Sequence, residues 1–273
     1  MTSFLSVENL SILDEENKPL VRNVSFSIPS ESVFFLVGET GSGKTLIAQA
    51  IAGTLAKRLS VCGKVFLKKQ NLLSVKEKEL KKLWGRYLFL MPQEPSTALN
   101  PLLSVFRQVR EVFQHLRGMD RHTARTATQN LFSALGITQE ASRERPGKLS
   151  GGMAQRALLA MALASPAEFI LLDEPTKGLD SSRKEDAAAL VKGIINAGKT
   201  LLCITHDFSL PKQIGGQTGV LFSGLLVESG DSQIVLQHPS HPYTQGLLNA
   251  LPERGLHPIS DELLAQLERA WCH

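Results

Sequence analysis

An apolar run, Val33–Val37, leads directly into GETGSGKT at residues 38–45, and residues 46–55 continue as a helical stretch rich in Ala, Ile and Leu. The loop matches G-x-x-x-x-G-K-S/T, and each fixed position has a physical reason. Gly38, Gly41 and Gly43 let the backbone curl until successive N–H groups face one anion. Lys44 reaches the outer phosphates of a nucleotide, and the Thr45 hydroxyl can ligate Mg²⁺. By chance the pattern would arise in roughly one chain in a hundred of this length. A buried strand before it and a helix after it supply the context the motif needs. Gly38, Glu39, Thr40, Gly41, Ser42, Gly43, Lys44 and Thr45 are therefore assigned to nucleotide binding, and strand, loop and helix seed an α/β fold.

The rest of the chain extends that seed. Residues 4–10 and 24–28 alternate like half-buried strands. Residues 102–163 carry helical signals, with Val105, Val109, Val112 and Leu116 at helical spacing. Strand signals return at 169–172, 200–204 and 219–222, with a helix predicted over 181–195. Ser223-Gly224 suits a hairpin turn. Residues 76–82 read as an amphipathic helix with a solvated lysine face. After residue 231 come a short helical stretch, a Pro-rich segment HPSHPYTQG and an amphipathic piece over 259–271.

Composition excludes other classes. With 42% hydrophobic and 21% charged residues over 273 positions, the chain can bury a sizeable core. A net charge of +4 without a dense basic stripe gives no expectation of nucleic-acid binding. No apolar run approaches the ~18 residues of a membrane span, and MTSFLSVENL lacks the pattern of a secretion signal, so a cytoplasmic location is expected. Cys62, Cys203 and Cys272 form no CxxC pair, which leaves neither a disulfide framework nor a zinc pattern.

Two further motifs carry chemistry. FILLDE, residues 169–174, is an apolar strand ending in two carboxylates. Alone it is an ordinary solvated strand end. Downstream of a phosphate loop, Asp173 is expected to hold Mg²⁺ through its water shell and Glu174 to polarise an attacking water. LSGGMAQR, residues 149–156, opens a helix, where Ser150, Gly151 and Gly152 would present backbone and hydroxyl donors to an anion.

In this order the motifs resemble those of ABC ATPases, over roughly residues 4–230. The resemblance implies a P-loop core of mostly parallel sheet flanked by helices, an N-terminal antiparallel β subdomain and an inserted helical subdomain. Residues 1–230 would form the nucleotide-binding domain, with about 99–164 as the insertion, and 231–273 a C-terminal extension. It further implies ATP hydrolysis with Mg²⁺. Glu174, His206 (in ITHD) and Gln93 (in MPQEPSTALNP) would be catalytic, with Thr45, Gln93 and Asp173 on the metal. Ser150, Gly151, Gly152 and Gln155 would contact the ATP of a facing cassette, and Asp180 would lie in the loop joining the two sites. MPQEPSTALNP and HPYT, residues 241–244, resemble the peptide/nickel class of importers. The implied partners are a second cassette (the same or a different chain), two transmembrane subunits and, indirectly, an external binding protein. The implied location is the cytoplasmic face of the membrane, and the cargo peptides or nickel and metal chelates. A non-transport ABC ATPase and a binding-only cassette are the alternatives. The chain departs from the family in carrying Ile12 and Leu13 where an aromatic residue usually stacks on adenine, and Lys177-Gly178-Leu179 ahead of Asp180.

Overall fold

The computed structural model describes residues 3–175, 181–257, 259, 260, 262, 264, 266 and 267, without the side chains of 96, 181–184, 186 and 253. The chain divides into two compact units. The first comprises Met1–Pro29, Val33–Ser74 and Cys203–His273, and the second Ser30–Ser32 and Val75–Leu202.

In the first unit, β1 (Ser3–Leu13) and β2 (Pro19–Pro29) pair antiparallel, and β1 pairs β4 (Ser60–Leu67) antiparallel on its other edge. The short β5 (Gln70–Asn71) completes a four-stranded sheet, in the order β2-β1-β4-β5. Val24, Phe26 and Ile28 of β2 are buried while Ser25 and Ser27 are exposed, the alternation of a sheet with one wet face. Between β1 and β2 lie β-bulge shifts, beside which Asn9 and Asn23 take positive φ.

β3 (Val33–Val37) is buried at every position, as a continuous apolar strand requires, and pairs β9 (Gln217–Phe222) in parallel with Val37 opposite Val220. β10 (Leu225–Asp231) returns antiparallel to β9 through Ser223 and Gly224, which both take positive φ as a two-residue hairpin turn demands. Helices α1 (Lys44–Ala52), α9 (Ser209–Ile214), α10 (Ser232–Gln237) and α11 (Pro242–Asn249) belong to the same unit. Part of the Pro-rich segment thus forms a helix, with Pro242 at its first position, where the missing N–H costs nothing.

In the second unit, β6 (Leu88–Met91) and β7 (Phe169–Asp173) pair in parallel, Met91 opposite Leu172. Along β8 (Thr200–Thr205) the chain passes back into the first unit. The helices of the second unit are α2 (Glu77–Leu83), α3 (Pro95–Ala98), α4 (Val105–Arg117), α5 (Arg121–Ala134), α6 (Gln139–Arg143), α7 (Gly151–Ala164) and α8 (Ser181–Asn196). Ser104, Asp120, Thr138 and Ser150 cap α4 to α7 by accepting first-turn N–H groups. At the far end of α7, Arg117 Nε donates to the Ala164 carbonyl (2.6 Å), and Lys199 Nζ donates to the carbonyls of Ala167 and, at 3.3 Å, Ser165. These cations satisfy orphan carbonyls and oppose the helix dipole just ahead of β7. Burial lowers the Lys199 pKa, as does the neighbouring Arg117 charge, while Glu168 acts the other way. Among the described residues, no helix is long and apolar enough to cross a membrane.

Candidate nucleotide site

The phosphate loop occupies the turn between β3 and α1. Lys44 is 4% exposed, and its ammonium donates to the carbonyls of Gly38 and Glu39, both at 2.7 Å. The loop is thereby pinned in its curl, and Gly43 opens α1 at φ 105. Thr45, Glu39, Thr40 and Gly41 are exposed, while Ser42 is buried. The β9–β10 turn supports the loop: the Gly224 N–H donates to the Ser42 carbonyl (3.0 Å), and the Gly224 carbonyl accepts from Arg22 N–H (2.8 Å). A Cβ on Gly38 would lie 2.3 Å from the Leu221 carbonyl oxygen, so this first loop position admits no side chain.

A contact not foreseen from the sequence joins α11 to the loop. Tyr243 is fully buried with its ring against Phe222, centroids 4.2 Å apart, and its hydroxyl lies beside Glu39. Burial pushes the phenol well above its ordinary pKa, and the Glu39 charge adds to this. Glu228 of β10 fastens the start of α11, accepting from Ser240 N–H (2.7 Å), Ser240 Oγ (2.9 Å) and His241 N–H (3.2 Å). Burial pushes its carboxyl up, but these bonds and the Thr244 hydroxyl outweigh it and hold the pKa below the usual range. HPYT in the sequence was the available signal, although nothing local in it pointed to the phosphate loop.

His241 caps α11, its Nδ1 accepting the Tyr243 N–H at 3.2 Å, which requires that nitrogen to be unprotonated. Burial lowers the imidazole pKa, with the Glu228 charge opposing. As pH falls through about 6.5, the unfolded chain takes up a proton that the folded chain resists. The stabilisation is therefore full above that pH and is lost below it. Asn caps a helix without titrating. Thermal melts of His241→Asn are expected to show less loss of stability between about pH 6.5 and 5 than the parent chain. Parallel profiles would contradict the role given to His241.

In the second unit, the pairing of Met91 with Leu172 brings Gln93 and Glu174 to the same end of two adjacent parallel strands. Gln93 is half-buried, and Asp173 closes β7 at 9% exposure. Glu174 takes φ 50, a left-handed conformation costing about 1–3 kcal/mol in a residue of this type, and such strain concentrates at functional sites. Gln155 is buried, and its amide donates to the Pro175 carbonyl at 2.9 Å. Gln155 thus holds the turn after Glu174 within its own unit, whereas the resemblance implied a contact with the facing cassette's ATP. Ser150 is the N-cap of α7 and, like Gly151, is exposed. Among the described residues, a Cβ on Gly151 or Gly152 would meet nothing within 4 Å, so no described neighbour explains either glycine.

His206 stands exposed just after β8, between buried Thr205 and Asp207, and Thr205 Oγ1 accepts the Asp207 N–H at 2.9 Å. Asp180 lies outside the described residues, as do the three preceding positions. Ile12 is fully buried and Leu13 half-buried, so Leu13 is the member of that pair with surface to offer. The proposed metal donors, a hydroxyl, an amide and a carboxylate, are all oxygens, the donor chemistry that suits Mg²⁺.

Residues 21–177, more than half of the chain, match the ABC transporter family, and residues 227–267 match the oligopeptide/dipeptide transporter C-terminal region. The dipeptide transport ATP-binding protein DppD of Escherichia coli K12 is 35% identical over 264 residues, covering 92% of this chain and 79% of that protein. The oligopeptide transport ATP-binding protein AppD of Bacillus subtilis is 32% identical over 260 residues, with 92% and 79% covered. Among solved structures, cbiO1 from Clostridium perfringens, part of the transporter complex cbiONQ, superposes with a TM-score of 0.75 at 20% identity, covering 98% of this chain and all of that one. The post-hydrolysis dimer of the ATP-binding cassette MJ0796 bound to ADP and Pi gives 0.72 at 24% identity, covering 84% of this chain and 98% of that one. At these identities the structures establish the fold.

Proposed function

Because the chain belongs to the ABC transporter family, we propose that it is the ATP-hydrolysing subunit of an importer that carries peptides through separate membrane subunits. The observation carrying this reading is the coexistence of a complete phosphate loop, a strained Glu174 and a C-terminal segment matching the oligopeptide/dipeptide transporter region. The match and the named relatives favour peptides over nickel or metal chelates as cargo.

In the mechanism we propose, Lys44 and the loop N–H groups hold the β- and γ-phosphates. Thr45, Gln93 and Asp173 would hold Mg²⁺, which when bound would offset phosphate charge. Glu174 polarises the attacking water, and His206 contacts the γ-phosphate. Ser150, Gly151 and Gly152 serve the ATP of a second cassette, so that ATP joins two cassettes and hydrolysis releases them. Asp180 is assigned to communication between the two sites. The partners are that second cassette, two transmembrane subunits and, indirectly, an external binding protein, with the chain peripheral on the cytoplasmic face of the membrane.

Gly151 and Gly152 offer a direct test. Among the described residues nothing crowds a side chain at either position, and Asp in the first turn of a helix is favourable. Gly152→Asp is expected to leave the melting temperature nearly unchanged while lowering ATP turnover of the assembled transporter more than tenfold, by setting a negative charge against a facing triphosphate. Unchanged turnover would contradict the role of this helix start. Cargo is tested with the complete transporter in vesicles. ATP-dependent accumulation of a labelled dipeptide is expected, whereas uptake of a nickel chelate alone would overturn the peptide reading.

A further inference from the structure

GETGSGKT contains one acid, Glu39, in a loop assigned to hold phosphates. A carboxylate in that position repels a triphosphate, and the cost depends on where the carboxylate points. The main chain of Glu39 is already fixed. Its carbonyl accepts from Lys44 Nζ at 2.7 Å and from the Ser42 N–H at 3.2 Å. Glu39 itself is exposed, so the side chain is what remains to be steered.

Tyr243 reaches this point from α11. It is fully buried although it is only the second residue of its helix. Its hydroxyl is closed off from solvent and, among the described residues, makes no hydrogen bond of good geometry. The N–H and the carboxylate of Glu39 are the groups that bear on that oxygen. A phenol has one proton to donate, and a buried hydroxyl without an acceptor is costly to keep.

The surroundings hold the tyrosine in place against the loop. The Leu221 carbonyl oxygen lies 2.3 Å from where a Cβ of Gly38 would be, and the next residue, Phe222, packs on the Tyr243 ring at 4.2 Å. Gly224, just beyond, donates to the Ser42 carbonyl. One strand end thus touches both the loop and the tyrosine. On the other side of α11, Ile259 packs so closely that a Cβ on Gly246 would come within 2.8 Å of it. All of these residues belong to the first unit.

We propose that Tyr243 is a positioning residue for ATP: its buried hydroxyl donates to the Glu39 carboxylate and holds that charge aside from the phosphates. The inference rests on the nucleotide reading of the loop. It gives the C-terminal segment a part in ATP binding without contact to the nucleotide. Because the restrained charge opposes phosphate charge, the benefit is larger for a triphosphate than for a diphosphate.

The test is calorimetric titration of the full chain with Mg-ADP and with the Mg²⁺ complex of a non-hydrolysable ATP analogue. The chains compared are the parent, Tyr243→Phe, Glu39→Gln and the double variant. Tyr243→Phe keeps the ring against Phe222, so its melting temperature without nucleotide is expected not to fall. Its affinity for the ATP analogue is expected to drop about fivefold, the size of one charge interaction at an exposed site, and its affinity for Mg-ADP by less than about twofold. In the Glu39→Gln background there is no charge to restrain, and adding Tyr243→Phe is expected to cost less than about twofold. Unchanged affinity in Tyr243→Phe would overturn the proposal. So would equal losses for both nucleotides, or a loss that persists in the Glu39→Gln background, since either would leave Tyr243 a packing role alone. A parent chain that binds neither nucleotide would overturn the nucleotide reading and this proposal with it, a result distinct from the others.

Discussion

Glu174→Gln is expected to bind ATP as tightly as the parent chain while its turnover falls by at least two orders of magnitude, the usual contribution of a positioned general base. The substitution preserves side-chain shape and changes only the capacity to draw a proton from water. The strained φ of 50 is as accessible to Gln as to Glu, and the bond from Gln155 to the Pro175 carbonyl is untouched. The folded structure should therefore survive, separating chemistry from binding. Equilibrium binding of a labelled ATP together with steady-state phosphate release reads both quantities. Hydrolysis at the parent rate, with the partner cassette present, would show that another group activates the water.

Lys44→Ala has the opposite profile, with binding lost before chemistry can begin. In the proposed mechanism the ammonium is a charge-assisted donor to the triphosphate. Its loss is expected to raise the ATP dissociation constant more than a hundredfold, equivalent to about 3 kcal/mol. A second effect separates this variant from a surface charge change. Lys44 is buried and holds the carbonyls of Gly38 and Glu39, so its truncation leaves both without that donor. Stability without nucleotide is expected to fall by about 1–3 kcal/mol, read as a lower denaturation midpoint. Retained affinity would remove Lys44 from the phosphate site.

Much of this was legible in the sequence, for reasons that differ by element. β3 and β7 are continuous apolar runs, buried at every position, and such runs announce themselves. α4 follows the helical spacing of Val105, Val109, Val112 and Leu116 and ends one residue beyond it, at Arg117. β4 and β6 escaped notice. SVCGKVFL carries a glycine and a lysine in its middle, and LFLM is too short for periodicity to declare itself. α11 was hidden by its prolines, which read as a loop until Pro242 is seen at the first helical position.

The site divides similarly. Gly38 to Thr45, Asp173, Glu174 and the Ser150 helix start were readable because each needs fixed residue types at fixed spacing. The inward turn of Gln155 and the approach of Tyr243 to Glu39 were not. Both depend on segments 20 and more than 200 residues away along the chain, which no local pattern encodes.

The central claim is that this chain is the ATPase of a peptide importer, and recovery of its working complex tests it most directly. Tagged Glu174→Gln chain would be captured from native membranes with ATP and Mg²⁺ present, and the accompanying chains identified. Two multi-span membrane subunits and a second cassette are expected, joined in an ATP-dependent manner. Recovery of ribosomes or DNA, or of this chain alone whether or not ATP is present, would contradict the account.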